Sequence, residues 1–258
     1  MGSTPTPGTN TMPILLLVLA STLLVSLLSL IGAFVLALKE KTLNKIVNFL
    51  VDLSVGVLMA VALLDLVPDA IEKFGPENIF LYLLTGFFLF FLIEKLLHWR
   101  HCHDEHCEVH NFAYINLLGE SVHNLTDGLI IGAAFVASVP LGFATVFAVV
   151  LHEIPHEMGN FGVLIYAGFQ KKKALMFNFL TGLTAVIGGA VGYYLSSYVG
   201  LTANFLLPFA AGGFIYIAAS DLIPEGRKER NIKKSVAGFA IAVIGVLIIY
   251  SIKIYFPE

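Results

Sequence analysis

The sequence predicts an all-α membrane protein of eight transmembrane helices, arranged 3+2+3 with inverted three-helix repeats around a central helix pair. Composition, the placement of basic residues and a string that occurs twice predict it. Hydrophobic residues fill 57% of the 258 positions and charged residues 13%, about half the charge expected of a soluble domain. Mean hydropathy is +0.86. Apolar runs of ~20 residues, enough to cross a hydrocarbon core of ~30 Å, recur along the whole length. These features exclude a soluble enzyme and predict one membrane domain over residues 1–258, with an outer tail (1–12) and one distinctive polar connection (98–111).

The first span is expected near 13–38. The Gly/Ser/Thr/Pro-rich segment before it, Met1 to Asn10, has no Lys or Arg. It lacks the basic start of a signal peptide, and the following apolar run is too long for a signal core. The second span, 46–71, ends in Leu64-Asp65-Leu66-Val67-Pro68-Asp69, and the third covers 79–97. The fourth (112–138) and fifth (140–169) are joined by Ser138-Val139-Pro140, a connection short enough to make them antiparallel neighbours. The sixth covers 173–199. The seventh, 202–225, ends in Ser220-Asp221-Leu222-Ile223-Pro224-Glu225. The eighth covers 232–254, where Ala237 to Ile252 is too apolar to leave outside a membrane.

Charge then orients the spans. The odd connections hold thirteen of the fifteen basic residues, and the even connections and tails hold only Lys73 and Lys253. Lys and Arg accumulate on the cytoplasmic side, so the odd connections are expected in the cytoplasm and both termini outside it. The Asp-apolar-apolar-Pro-acid string then ends one outward-running and one inward-running helix. Two three-helix units of opposite topology around a midplane site give this pattern.

All eight histidines fall in two places. His98, His101, His103, His106 and His110 lie in the third connection with Cys102 and Cys107. That group has enough donors for a cytoplasmic metal site, although its spacing fits no standard structural zinc module, and a solvated polar loop is the competing reading. A disulfide is not expected on the reducing side. The other three, His123, His152 and His156, lie inside the fourth and fifth spans.

In the fourth span, Glu120, His123 and Asp127 share a helical stripe beside Asn124; in the fifth, His152 and His156 share one with Glu153 and Glu157. At 1.5 Å per residue, His123 lies ~16 Å in from one face and His152 ~18 Å in from the other. Both sets therefore reach the midplane, where even a lenient scale charges ~2.5–3.5 kcal/mol for an Asp. A divalent cation would neutralise the carboxylates and use imidazole nitrogen directly. Mixed N/O donors with neutral His suit Zn²⁺ first, with Fe²⁺, Mn²⁺ and Cd²⁺ also allowed. Pro155 withholds a hydrogen bond from the carbonyl of Leu151, which could serve as a ligand or a flexible point. Asp65, Asp69, Glu120, Asp221 and Glu225 are candidate entry and exit acids.

The strings Gly-Glu-Ser-Val-His-Asn-Leu-Thr-Asp-Gly (119–128) and His-Glu-Ile-Pro-His-Glu-Met-Gly (152–159) resemble the signature of the ZIP (Zrt-, Irt-like) metal transporters, in the branch with His-Glu-x-Pro-His-Glu in the fifth helix. The eight-span layout with a His-rich cytoplasmic loop is similar too. The resemblance implies a binuclear membrane centre with His123, Asn124, Asp127, His152, Glu153 and His156 as ligands and Glu157 adjacent. It also implies metal movement into the cytoplasm across a cell membrane, as the central helices slide against the rest. Three positions depart from the family pattern. Asn160 replaces an Asp, Glu120 replaces an Asp, and the sixth span near Thr181 to Gly192 has no carboxylate. The partners expected are divalent ions and the lipid bilayer, with a homodimer allowed and no nucleic acid; the metal is cargo, and no cofactor or enzymatic activity is expected.

His152-Glu153-Ile154-Pro155-His156 also satisfies the His-Glu-x-x-His pattern of zinc proteases, which makes an intramembrane metalloprotease the rival reading. Pro155 inside the pattern, the order of Asp127-Gly128 before rather than after it, and acid strings near both faces weigh against proteolysis. A metal sensor without transport is a third reading, separated from the first by flux.

Overall fold

The computed structural model describes residues 11–35, 39–99, 109–198, 202–226 and 231–255, and among them it contains helices and no strand. Eight helical rods follow one another. α1 (residues 11–35) is helical over Thr11–Leu28 and tightens into a 3-10 turn at Ser29–Ile31; α2 (residues 40–74) passes through a π-helical stretch at Val61–Leu66. Next come α3 (Ile79–Trp99), α4 (Val109–Ala137) and α5 (Val139–Tyr166). α6 (residues 171–198) is broken once at Leu183, α7 (residues 202–226) has its own π-helical stretch at Ala218–Leu222, and α8 is Ile232–Tyr255.

Among the described residues, seven rods are long and apolar enough to cross a membrane. α4 is the longest single helix at 29 residues, yet Glu120, His123, Asn124 and Asp127 dilute its apolar character, so hydropathy passes over the rod that carries the chemistry. α3 and α8 turn large apolar side chains outward, among them Phe80, Phe88, Phe239 and Ile254, as lipid-facing helices do.

Local chemistry fixes the joint that matters most. Ser138 is extended, and its hydroxyl accepts from the Leu141 N–H at 3.2 Å. An N-cap followed by Pro140 in the first turn starts α5 immediately after α4 ends. α5 stops at Tyr166, earlier than the apolar pattern suggests. Gly168 (φ 86°) takes the left-handed conformation, and the Phe169 N–H closes on the Leu164 carbonyl at 3.1 Å.

Two groups of rods pack together. α1, α4, α5 and α6 form one, with α4 lying along α6 and α1 touching the other three; in the second, α3 runs along α7 and α8 along α2. Glycines allow the closest approaches. A Cβ at Gly128 would strike the Ala185 carbonyl of α6, and one at Gly188 would strike the Leu125 carbonyl of α4. Gly56 on α2 lies against Ala242 of α8, and Gly212 on α7 against Leu83 of α3. Without a hydrophobic drive between helices in lipid, such backbone contact is a main source of packing energy.

The duplicated strings share local structure. Val67 N–H bonds back five residues to Ala62, and Ile223 N–H bonds back five to Ala218. Gly56 precedes Asp65 by the same nine residues as Gly212 precedes Asp221. The two stretches match in turn type, glycine and acid.

Candidate metal centre

The facing stripes of α4 and α5 meet in the interior. Asp127, His152 and Glu153 are almost wholly buried, and His123 is half-buried. His123 Nε2 lies 3.3 Å from His152 Nε2, 3.1 Å from Glu153 Oε1 and 3.8 Å from Asp127 Oδ2. His152 Nε2 lies 3.1 Å from Asp127 Oδ2 and 3.7 Å from Glu153 Oε1. All four donor atoms fit within 4.8 Å of one another. Four ligands held tetrahedrally at ~2.1 Å from a zinc ion stand about 3.4 Å apart, so the measured separations are close to the edges of that polyhedron.

Hydrogen bonding supports the same reading. His152 Nδ1 lies 3.1 Å from the Ala148 carbonyl. A carbonyl can only accept, so this contact places the proton on Nδ1 and leaves the Nε2 lone pair facing the cluster. A backbone carbonyl that fixes the tautomer in this way is the usual outer support of a metal-binding imidazole. Both oxygens of Asp127, both oxygens of Glu153 and Oδ1 of Asn124 are buried without a hydrogen bond. Buried polar atoms left without partners cost ~1–3 kcal/mol each, more when charged. Four of these atoms belong to Asp127 and Glu153, the two carboxylates of the four-donor group.

A second group adjoins the first through Glu153. It comprises Glu120, Glu153 and His156. Glu120 Oε1 lies 3.3 Å from His156 Nδ1 and accepts from Asn124 Nδ2 at 3.1 Å. The His156 ring stacks on that of His123 with centroids 4.7 Å apart. Glu120, expected on the pathway, is thus at the centre itself.

Glu157 is not gathered with these residues. One turn beyond Glu153, its carboxylate faces α1 and α6, accepting from Ser29 Oγ and, at 2.6 Å, from Asn178 Nδ2. Asn178 also donates to the Ser29 carbonyl at 3.0 Å, accepts from Asn160 Nδ2, and Asn160 in turn accepts from Asn116. This chain of amides joins α1, α4, α5 and α6. The signal that could have found it is three asparagines within otherwise apolar spans.

The remaining candidates are spread along the molecule. Asp65 lies in the π stretch of α2 beside Lys253, at 3.6 Å, and Asp69 is buried nearby on the same helix. Asp221 is exposed and lines two cavities of about 260 and 480 Å³ that both reach Glu120 and His156. Glu94 and Tyr216, which the sequence pattern did not single out, line the smaller one, and the Tyr216 hydroxyl donates to Glu94. Both cavities are lined by Asn116 and Glu120 from the first half of α4 and by Asp221 near the end of α7. The Phe214 ring is buried with its centroid 6.3 Å from that of the His152 imidazole. The Glu225 and His110 side chains, and His101, Cys102, His103, His106 and Cys107, lie outside the described residues.

A family model described as ZIP Zinc transporter matches residues 12–111 and 100–253. The zinc transporter zipt-7.2 of Caenorhabditis elegans is 39% identical over 147 residues, covering 55% of this chain and 32% of the relative. The zinc transporter SLC39A7 of Canis lupus familiaris is 39% identical over 143 residues, 52% of this chain and 29% of the relative. The human zinc transporter ZIP10 is 36% identical over 149 residues, 56% of this chain and 18% of the relative. The matched region spans a third or less of each of these relatives.

Proposed function

The chain belongs to the ZIP zinc transporter family, and from that premise we propose that it carries divalent metal cations, zinc first, across a cell membrane into the cytoplasm. The observation that supports this most directly is the set of four donor atoms on α4 and α5 that lie within 4.8 Å of one another, two of them on carboxylates whose oxygens are buried without a hydrogen bond. His123, Asp127, His152 and Glu153 hold the ion in this reading. Glu120 and His156 share Glu153 with it and offer a second, adjoining position, with Oδ1 of Asn124 available beside them. Fe²⁺, Mn²⁺ and Cd²⁺ suit the same mixed donors.

All eight rods cross the membrane in this reading, α4 included, because its polar groups face α5 rather than lipid. In this reading, the charge bias puts the end where α4 begins in the cytoplasm and both termini outside. The molecule is then open inward, with Asp221, Glu94 and Glu120 along the route of departure. The matched strings of α2 and α7 support an inverted repeat. Every first-site donor belongs to the α1/α4/α5/α6 group, while Asp65, Glu94 and Asp221 belong to the other. Movement of one group against the other exposes the same donors to opposite faces.

The protease pattern gains nothing from the geometry. Zinc proteases place both histidines of His-Glu-x-x-His on one ion and leave the Glu free as base. Here His152 and His156 fall in different donor groups, and Glu153 belongs to both. Purified protein in liposomes, offered Zn²⁺, Fe²⁺, Mn²⁺ and Cd²⁺ separately, tests the proposal. Zinc influx above empty liposomes is expected, with loss in His123→Ala and Asp127→Ala variants that still insert. Equal influx in the variants and the parent protein would refute the assignment.

A further inference from the structure

The two Asp-x-x-Pro strings share a fold and differ in their partners. Each ends a π-helical stretch, and each proline, lacking an N–H, cannot close on the carbonyl four residues before it. At the α7 string, Asp221 is exposed and borders both cavities. At the α2 string, the Lys253 ammonium of α8 donates to the Leu64 carbonyl, the one that Pro68 leaves, and stands 3.6 Å from Asp65 Oδ1. A carboxylate oxygen beside a peptide carbonyl is a hard-oxygen site for a cation, and Lys253 fills it.

The placement of this lysine is unusual by composition as well. Apart from Lys73, it is the only basic residue outside the odd connections, so it is not part of the charge bias that orients the chain. It also sits beside Asp65 in the second half of α2, whereas the α2 residues that line the larger cavity, Leu43, Val47 and Val51, lie near the start of that helix.

We propose that Lys253 is a tethered counter-cation at the metal entrance: while the centre is open to the cytoplasm, its ammonium occupies the cation position of the Asp65 string, and an arriving divalent ion displaces it. The inference rests on the transport reading for its direction. Displacement exchanges the single positive charge of the ammonium for the two of the ion, so Asp65 has a cation beside it in both states and the lysine moves outward as metal enters. Lys253 is a positioning residue in this scheme. It sets how readily the entrance accepts an ion without touching the ion held at the centre.

Two measurements test it. The first follows modification of Lys253 by a membrane-impermeant amine reagent in liposomes, resolved by peptide mass with Lys73 as internal reference. Zinc is expected to speed Lys253 labelling several-fold, and Asp65→Asn to speed it without zinc. The second compares zinc uptake by Lys253→Met and Lys253→Arg. The Met variant should show a several-fold lower KM with little change in kcat, and Arg should behave as the parent. Labelling of Lys253 that responds neither to zinc nor to Asp65→Asn overturns the proposal, as does an unchanged KM in a folded Lys253→Met protein. If zinc speeds Lys253 labelling but no zinc enters the liposomes, the transport reading fails and the tethered cation stands.

Discussion

The side-chain amide of Asn178 donates to Oε2 of Glu157 at 2.6 Å, and this bond separates two carboxylates that helical spacing makes equivalent. Glu153 and Glu157 are four residues apart on α5 and are both almost completely buried. Neither oxygen of Glu153 has a hydrogen bond, whereas Glu157 takes one from Asn178 and one from Ser29. The first carboxylate faces the donor atoms of His123, Asp127 and His152; the second ties α5 to α1 and α6.

Glu153→Gln and Glu157→Gln are therefore expected to fail in different ways. A ligand at 100 times its Kd stabilises a protein by about 2.7 kcal/mol, so zinc should raise the Tm of the parent protein. Glu153→Gln should lose that rise and lose zinc uptake. Glu157→Gln should lower the metal-free Tm, because one of its new amide atoms faces a donor, and should keep most of the zinc-induced rise. Thermal unfolding in detergent with and without zinc separates the two. A lost zinc response in both variants would make Glu157 a ligand after all.

The position of the first carboxylate was legible in the sequence and the partners of the second were not. Periodicity places His123, Asp127, His152 and Glu153 on facing stripes, and a count of residues from each face sets their depth. The same rule puts Glu157 beside them, because a helical stripe does not say which neighbouring helix supplies the donors. Ser29 and Asn178 come from α1 and α6, more than a hundred and about twenty positions away in the chain. Long-range partners of this kind leave no spacing to read. The span order was legible from hydropathy and from Lys and Arg, and the duplicated strings from simple repetition. The π-helical turns within those strings were not, since Pro68 and Pro224 forecast only that a helix is interrupted.

Asp221 and Glu94 are expected to act on rate rather than affinity. They line the cavity that leads from His123 and His156, but neither is grouped with the donor atoms of the centre. Asp221→Asn and Glu94→Gln should retain the zinc-induced rise in Tm and lower the maximal uptake rate several-fold. Initial rates at saturating zinc provide the measurement. Loss of the thermal response in either variant would move that residue into the centre.

Packing of α4 on α6 makes a stability prediction. A side chain at Gly188 points at the carbonyl of Leu125, and one at Gly128 at that of Ala185, so backbone must move to admit either. Overpacking costs ~1–3 kcal/mol, and more where the obstacle is backbone rather than a flexible side chain. Gly188→Val should lower Tm by several degrees and reduce the yield of folded protein. Gly159, with nothing near its added Cβ, supplies the control. Gly159→Ala should leave Tm nearly unchanged, and equal damage from both would remove the argument from close approach.

The His/Cys-rich connection can be tested without altering chain length. α3 ends at Trp99 and α4 begins at Val109, so deleting 101–107 would leave very little chain between two helix ends and confound chemistry with strain. Replacing His101, Cys102, His103, His106 and Cys107 together by serine removes the donors and keeps the span. The donor groups found among the described residues draw only on α4 and α5, so zinc uptake should persist at saturating metal. If the loop receives ions as they leave the centre, the loss should appear as a slower rate once cytoplasmic-side zinc accumulates, with the initial rate unchanged. Time courses in liposomes loaded with a chelator and without one distinguish these cases, because the chelator replaces the loop as acceptor. Abolished uptake in a folded pentaserine protein, chelator present, would place the loop on the obligatory path.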